Sequence, residues 1–255
     1  MSTAQDLVQP GPADLPEFEG GLDLLLHIAG RVRQLARPPV RAALWNQVQQ
    51  GALDFAWLTG VMGALAGFFT IATVEVGFGL GVTVGVRVFQ ALVLGQLAGS
   101  VCALLLVAGP GMAALVELGL MRHQGELRTL RLMGIDPRDL LVLPRVVGFA
   151  FALFVLTFLF QAAAVAGGFA LAALFGQISF TQQLTALCAT PGPAALLVSG
   201  ARNLVLGGVI GLLVCHQGLV APFAAARMPQ IAGQLLSRSL IALVLVQGGA
   251  ALLLR

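Results

Sequence analysis

Long apolar stretches without any formal charge alternate along this chain with short stretches that contain arginine. An α-helix needs about 20 residues to cross the hydrocarbon core of a bilayer, and a charge at its centre costs roughly 2.5 to 3.5 kcal/mol. A charge-free run of sufficient length therefore predicts a crossing. Five crossings are predicted. The first two are Phe55–Val74 and Val88–Val116. The uncharged run Val146–Ala201 is too long for one helix and is interrupted by a polar, Pro-containing loop, Gly176–Pro193, so the third crossing precedes this loop and the fourth follows it; the fifth is Ser239–Leu254, extended backwards through Leu235.

The composition supports a membrane-embedded chain. Hydrophobic residues make up 58% of the sequence and charged residues 10%, whereas a soluble domain carries about 25% charge. So much apolar surface cannot be buried in one soluble core. The predicted fold is an all-α integral membrane protein with about five transmembrane helices, an N-terminal amphipathic interfacial helix and a cytoplasmic coupling helix.

The amino-terminal part differs from the rest. Residues 1–20 contain three prolines and four acidic residues, a composition typical of a flexible tail. Residues 21–52 form an interfacial helical segment in which leucines recur at helical spacing before several arginines. Because periodicity does not distinguish lipid from a protein groove, docking of this helix on protein is an equal alternative. No basic segment precedes an apolar one here, so we expect no cleaved signal peptide.

Arginine placement predicts the orientation. All fourteen basic residues are arginines, and the net charge is +3. We interpret them as topology signals and expect no nucleic-acid partner. Eleven arginines lie in three segments: before the first span, between the second and third spans, and between the fourth and fifth spans. Only Arg87 and Arg202 are assigned to the opposite side. Positively charged segments remain cytoplasmic. The amino terminus is therefore predicted in the cytoplasm and the carboxyl terminus on the far side.

Several kinds of chemistry are disfavoured by the sequence. The cysteines, Cys102, Cys188 and Cys215, lie far apart without metal-ligand spacing, and the three histidines belong to no catalytic arrangement. A Walker A motif is absent, so ATP and Mg²⁺ would be used by another subunit and not bound as cofactors by this chain. We therefore do not predict an enzyme.

The loop at about 109–145 is the most informative segment. Arg122 and Glu126 have i,i+4 spacing, Gly134 suits the left-handed residue that ends a helix, and Asp136–Pro137 suits the start of the next one. A short capped helix here would transmit motion from a soluble ATPase, where a flexible loop would absorb it. The alternative is a solvated loop that only joins two spans. Four apolar residues are predicted on one face: Leu120, Leu127, Leu130 and Met133.

The same segment resembles the MlaE-type (YrbE-like) ABC transporter permeases, which are associated with MCE-domain lipid transport. The similar motifs are Glu117-Leu118-Gly119-Leu120-Met121, Met133-Gly134-Ile135-Asp136-Pro137 and Pro144-Arg145. The resemblance is strongest over residues 104–175 and implies a permease domain at 53–255. It implies a subunit that moves phospholipid or a related lipid between bacterial envelope membranes and is located in the bacterial inner membrane, with its carboxyl terminus in the periplasm.

The resemblance also implies partners: an ATP-binding cassette ATPase, an MCE-domain protein, sometimes a STAS-domain protein, membrane lipid and a second copy in a homodimer. The ATPase would dock around Leu127 to Gly134. The residues expected to couple the permease to the ATPase are Glu117, Gly119, Met121, Arg122, Glu126, Leu127, Leu130, Arg131, Met133, Gly134, Asp136 and Pro137.

Two further residues are candidates for the lipid path. Glu75 lies at the far end of the first span. Two roles for this carboxylate are equal alternatives: it lines the lipid path, or it is an ordinary charge at the membrane interface. Gln96 and its neighbour Gly95 stand where the family tends to have an Arg-Glu pair, and Pro110 stands where the family usually has arginine. We expect the polar lining of the path to differ accordingly. Rival functions are a stand-alone secondary transporter, a non-transporting membrane scaffold and a membrane enzyme.

Overall fold

The computed structural model describes residues 38–73, 87–134, 141–174, 192–220 and 228–253. Five of its helices are long and apolar enough to cross a membrane, as predicted, and these ranges contain no strand. The all-α prediction is therefore confirmed. The helices are α1 Pro38–Ala72, α2 Arg87–His123, the short α3 Glu126–Leu132, α4 Leu143–Leu174, α5 Gly192–Val220 and α6 Met228–Leu253.

Helices α4 and α5 form the centre of the described bundle. The share of residues buried is 56% in the apolar window of α4 and 61% in that of α5, against 22% in α1 and 28% in α6. The outer helices expose large apolar side chains, among them Trp57, Phe69, Ile241 and Leu245. In a membrane these side chains face lipid tails, which are as apolar as they are.

Small residues allow α1 to pack closely along α4. A Cβ atom at Gly63 would lie 2.6 Å from the carbonyl oxygen of Phe160, and one at Gly67 would overlap the backbone of Ala164. From the other side, a Cβ atom at Gly168 would lie 3.1 Å from Cα of Gly67. Contact between two backbones replaces the hydrophobic driving force that is missing between helices in lipid.

Helix α2 is longer and less regular than predicted. It runs without a break to His123 and contains two π-helical segments, Gln90–Leu97 and Val107–Gly111. The second contains Pro110, which has no N–H to donate, so the α-helical pattern cannot continue through it. The residues Gly109 to Gly111 therefore belong to this helix, and the prediction that the loop begins at about 109 was wrong.

Arg202 was also misassigned. Arginine placement predicted a position on the far side near the fourth span, but Arg202 lies inside the apolar stretch Val198–Val220 of α5. Its side chain is partly buried and bonds to α2. A charged side chain can occupy a span where neighbouring helices supply polar partners.

Some predictions fall outside the described residues. These are the tail at 1–20, residues 21–37 of the interfacial segment, the loop Gly176–Pro193 up to residue 191, and the individual residues Glu75, Asp136, Pro137 and Cys188. The remainder of the interfacial segment, residues 38–52, is continuous with the first span within α1.

Candidate functional site

A sharp corner joins α2 to α3. Gly125 has φ of +78°, a left-handed conformation that side chains with a Cβ atom adopt only at a cost. Its N–H donates to the carbonyl of Arg122, and its own carbonyl accepts from the N–H of Arg128 at 3.0 Å and the Thr129 hydroxyl at 3.3 Å. The Thr129 N–H donates to the same carbonyl at 3.2 Å, so four local hydrogen bonds of Gly125 end α2 and begin α3.

Helix α3 is short and largely exposed. It ends at Leu132, and Gly134 beyond it has φ of +75°, the left-handed conformation expected of a residue that ends a helix. The side chain of Leu127 is buried, whereas Leu132 and Met133 are 81% and 62% exposed. The prediction that Leu120, Leu127, Leu130 and Met133 share one apolar face was therefore wrong. Leu127 attaches α3 to the bundle, Leu130 is half-buried, and Leu120 and Met133 are exposed.

An ion pair joins the two helices that flank α3. Nη2 of Arg145, near the start of α4, lies 2.6 Å from Oε2 of Glu117, near the end of α2. The arginine side chain is 9% exposed and the glutamate side chain 54% exposed. A buried guanidinium thus pairs with a carboxylate that is half in solvent, which clamps the two ends of the loop segment together.

Behind this ion pair lies an apolar cluster that includes three spans and α3. Leu118 of α2, Leu127 of α3 and Val146 of α4 pack in it. Helix α5 contributes Leu212, Cys215 and Leu219 to the same cluster. Leu127 thus links α3 to three spanning helices through one close-packed cluster.

A second polar region lies towards the opposite end of the bundle, at the first π-helical segment. Nε2 of Gln161 in α4 donates to the carbonyl of Leu94 at 2.9 Å and to the hydroxyl of Ser199 in α5 at 3.1 Å. The Arg202 guanidinium donates to the carbonyl of Gly95. Gln96 of the same segment is exposed, which is compatible with the predicted lipid path.

The polar region continues towards α6. Asn203 is fully buried, and neither polar atom of its side chain has a hydrogen-bond partner in the described part of the chain. Gln247 of α6 donates to the hydroxyl of Ser100 at 3.3 Å. A Cβ atom at Gly99 would lie 2.5 Å from Oδ1 of Asn203 and 2.9 Å from Nε2 of Gln247, so only glycine leaves room for both amides.

The predicted coupling residues lie in one region where the structure describes them. Residues from the end of α2 through Gly134 are contiguous around the corner, with Gly119 buried beside the apolar cluster and Glu126 exposed. Sequence reasoning missed Gln161, Ser199, Asn203 and Gln247. Each of these four is a polar residue within an otherwise apolar span. Such residues are often functional, so this pattern could have identified them from the sequence.

No group of three or more His, Cys, Asp or Glu side chains that could hold a metal ion occurs in the described ranges. Cys102 and Cys215 are buried and not disulfide-bonded.

Together the fold and these two regions define a multi-pass α-helical membrane protein. Its short helix α3 lies outside the spans, and an ion pair joins the two spanning helices that flank it. The chain belongs to the MlaE permease family: the family model described as Permease MlaE matches residues 44–253. It is thus a membrane permease of the lipid-transport ABC class and not a catalytic enzyme. A search of curated proteins finds no match.

Proposed function

We propose that this chain is the permease subunit of an ABC transporter that moves phospholipid or a related lipid between bacterial envelope membranes, driven by a separate ATPase subunit. Membership of the MlaE permease family over residues 44–253 carries the proposal. The geometry of α3 supports it, because a transporter driven from outside needs an external element that is attached rigidly to its spans.

The outward surface of α3 suits a protein partner. Leu132 and Met133 are exposed at its end, and Leu120 at the end of α2 is 40% exposed. We define these three residues as the docking surface. Exposed apolar side chains beside charged ones are typical of interaction sites, and Met adapts well to a partner surface. The ATPase would bind here, at the end of the bundle that arginine placement predicts to be cytoplasmic.

Motion of the docking surface would reach the spans through two connections. The Glu117–Arg145 ion pair joins α2 to α4, and the cluster around Leu127 adds α5. ATP-driven displacement of α3 would therefore move three spans together and would not be absorbed by the loop. In this scheme the residues from Glu117 to Pro137 couple ATP hydrolysis to transport.

The remaining components follow from the same proposal. The chain would form a homodimer in the inner membrane, with its amino terminus in the cytoplasm and its carboxyl terminus in the periplasm. An MCE-domain protein would receive or deliver lipid on the periplasmic side, and a STAS-domain protein would bind in the cytoplasm. Gln96 and Glu75 would line the lipid path. The lipid would be held mainly by apolar contacts.

Purification of the chain from its native host tests the proposal. We expect an ATPase subunit to be recovered with the unmodified chain and lost with Leu132→Asp, which introduces a charge into the docking surface. Gln124→Asp is the matched control, because it adds the same charge to an exposed residue of the neighbouring corner. The recovered complex, reconstituted in phospholipid vesicles, should move fluorescent phospholipid only when ATP is present.

The outcomes separate the rival functions. Failure to recover any ATPase with the unmodified chain would refute the ABC permease, and lipid movement driven by a proton or sodium gradient would establish a secondary transporter. Equal ATPase recovery with Leu132→Asp and the unmodified chain would reject the docking surface alone.

A further inference from the structure

The first π-helical segment leaves a backbone carbonyl without its usual donor. In an α-helix the carbonyl of Leu94 would accept from the N–H of Ala98, four residues on. Here the N–H of Ala98 donates to the carbonyl of Val93, five residues back. The Leu94 carbonyl is thereby released inside a membrane span, where water is absent and an unpaired polar group is costly.

Side chains from two other helices meet this requirement. Gln161 of α4 donates to the Leu94 carbonyl, and the hydroxyl of Ser199 in α5 lies 3.4 Å from the same oxygen. Both side chains are buried, with 3% and 6% exposure. The next carbonyl, of Gly95, accepts from Arg202. Three side chains thus converge on two consecutive carbonyls at the end of the π-helical segment.

The register of the segment determines which residues of α2 face the core. An i→i+5 turn holds one residue more than an α-helical turn, so residues before it are rotated by about 100° relative to an uninterrupted α-helix. In this register Phe89 is fully buried and its ring lies 5.7 Å from that of Phe169, while Leu92 is 51% exposed.

We propose that Gln161, with Ser199, is a positioning residue that holds α2 in its π-helical register over Gln90–Leu97. The glutamine acts on the backbone of α2 through its hydrogen bond to the Leu94 carbonyl, and Arg202 adds a bond to the next carbonyl, of Gly95. Gln96 directly follows the two carbonyls that these side chains bond, and it is thereby kept on the exposed face of α2. Only the transport consequence rests on the proposed function, since the register itself is a property of the fold.

Deletion of Leu92 tests this inference. The deletion removes the additional residue, so α2 can run as a plain α-helix while Phe89 keeps its place in the core. The Leu94 carbonyl then regains a backbone donor, and the clamp becomes unnecessary. The thermal midpoint of the purified chain in detergent is measured for Gln161→Leu in the full-length chain and in the deleted chain.

We expect Gln161→Leu to lower the midpoint in the full-length chain, with at least half of this loss abolished by the deletion. Ser199→Ala, which removes the partner at 3.4 Å from the Leu94 carbonyl, should lower the midpoint less. Asn203→Leu is the matched control: this neighbouring buried residue bonds to no carbonyl of the segment, so the deletion should not alter its effect.

An undiminished loss for Gln161→Leu in the deleted chain would overturn the inference. So would a larger loss for Ser199→Ala than for Gln161→Leu, because the hydroxyl and not the glutamine would then hold the carbonyl. The thermal midpoint requires neither the ATPase subunit nor a transport assay. It therefore tests the register even if the proposed transport function is refuted. If transport is confirmed, Gln161→Leu should reduce it at least tenfold and Ser199→Ala less than threefold.

Discussion

The Glu117–Arg145 ion pair provides a prediction that depends on which partner is removed. Glu117→Gln removes the charge of the half-exposed partner and leaves a guanidinium that is buried. Nη1 of Arg145 already has no hydrogen-bond partner among the described residues. Arg145→Met removes the buried charge, keeps most of the side-chain length and leaves a carboxylate that water can solvate. We therefore expect Glu117→Gln to destabilise the chain more than Arg145→Met.

The magnitude follows from the burial of the two groups. Breaking a fully buried pair by removing one partner costs about 3–5 kcal/mol, whereas a surface pair contributes about 0–1 kcal/mol. Since the Glu117 side chain is 54% exposed, we expect a loss of about 2 kcal/mol for Glu117→Gln and about 1 kcal/mol or less for Arg145→Met. For a chain of this size 2 kcal/mol corresponds to about 4–8 °C in the thermal midpoint.

Thermal unfolding in detergent measures both variants and the double variant. The double variant should resemble Arg145→Met, because once the buried charge is absent the carboxylate has little to stabilise. An equal or larger loss for Arg145→Met would refute the reasoning from burial. A double variant whose loss equals the sum of the single losses would show that the two groups act independently, contrary to the 2.6 Å distance between them.

Three further predictions concern packing and backbone conformation, each checked by the thermal midpoint and by the yield of monodisperse protein. Gly67→Val should cost about 3 kcal/mol because its side chain would overlap the backbone of α4, while Gly60→Ala, with open space around it, should be tolerated. Gly125→Ala should cost about 1–2 kcal/mol because of its left-handed conformation; an unchanged midpoint would contradict this. Leu127→Ala should cost about 2–4 kcal/mol, whereas Leu132→Ala should change stability by about 0.5 kcal/mol at most.

Part of the external corner could be predicted from local chemistry. Gly134 was expected to end a helix, and it has the left-handed conformation that this role requires. Gly125 has the same conformation and was not predicted, although a glycine between Gln124 and a helix-starting Glu126 carries the same signal. The local sequence was informative at both positions because φ depends mainly on the residue itself and its neighbours.

Other features depend on residues distant in the sequence. Charge counting placed Arg202 on the far side, because on its own a charge is costly inside a span. Its partner, the Gly95 carbonyl, is 107 residues away in the sequence. The Leu94 carbonyl is 67 residues from Gln161 and 105 residues from Ser199. No pattern along the chain shows that a π-helical segment releases a carbonyl at this depth.

The sequence alone therefore determined the spans, since the bilayer requires long uncharged stretches and forces each backbone to form its hydrogen bonds within its own helix. Tertiary structure decided the rest. It placed Glu117 beside Arg145, exposed Leu132 while burying Leu127, and gave Arg202 a backbone partner within an apolar span. Each of these depends on what a neighbouring helix presents at the same depth, which periodicity within a single helix does not specify.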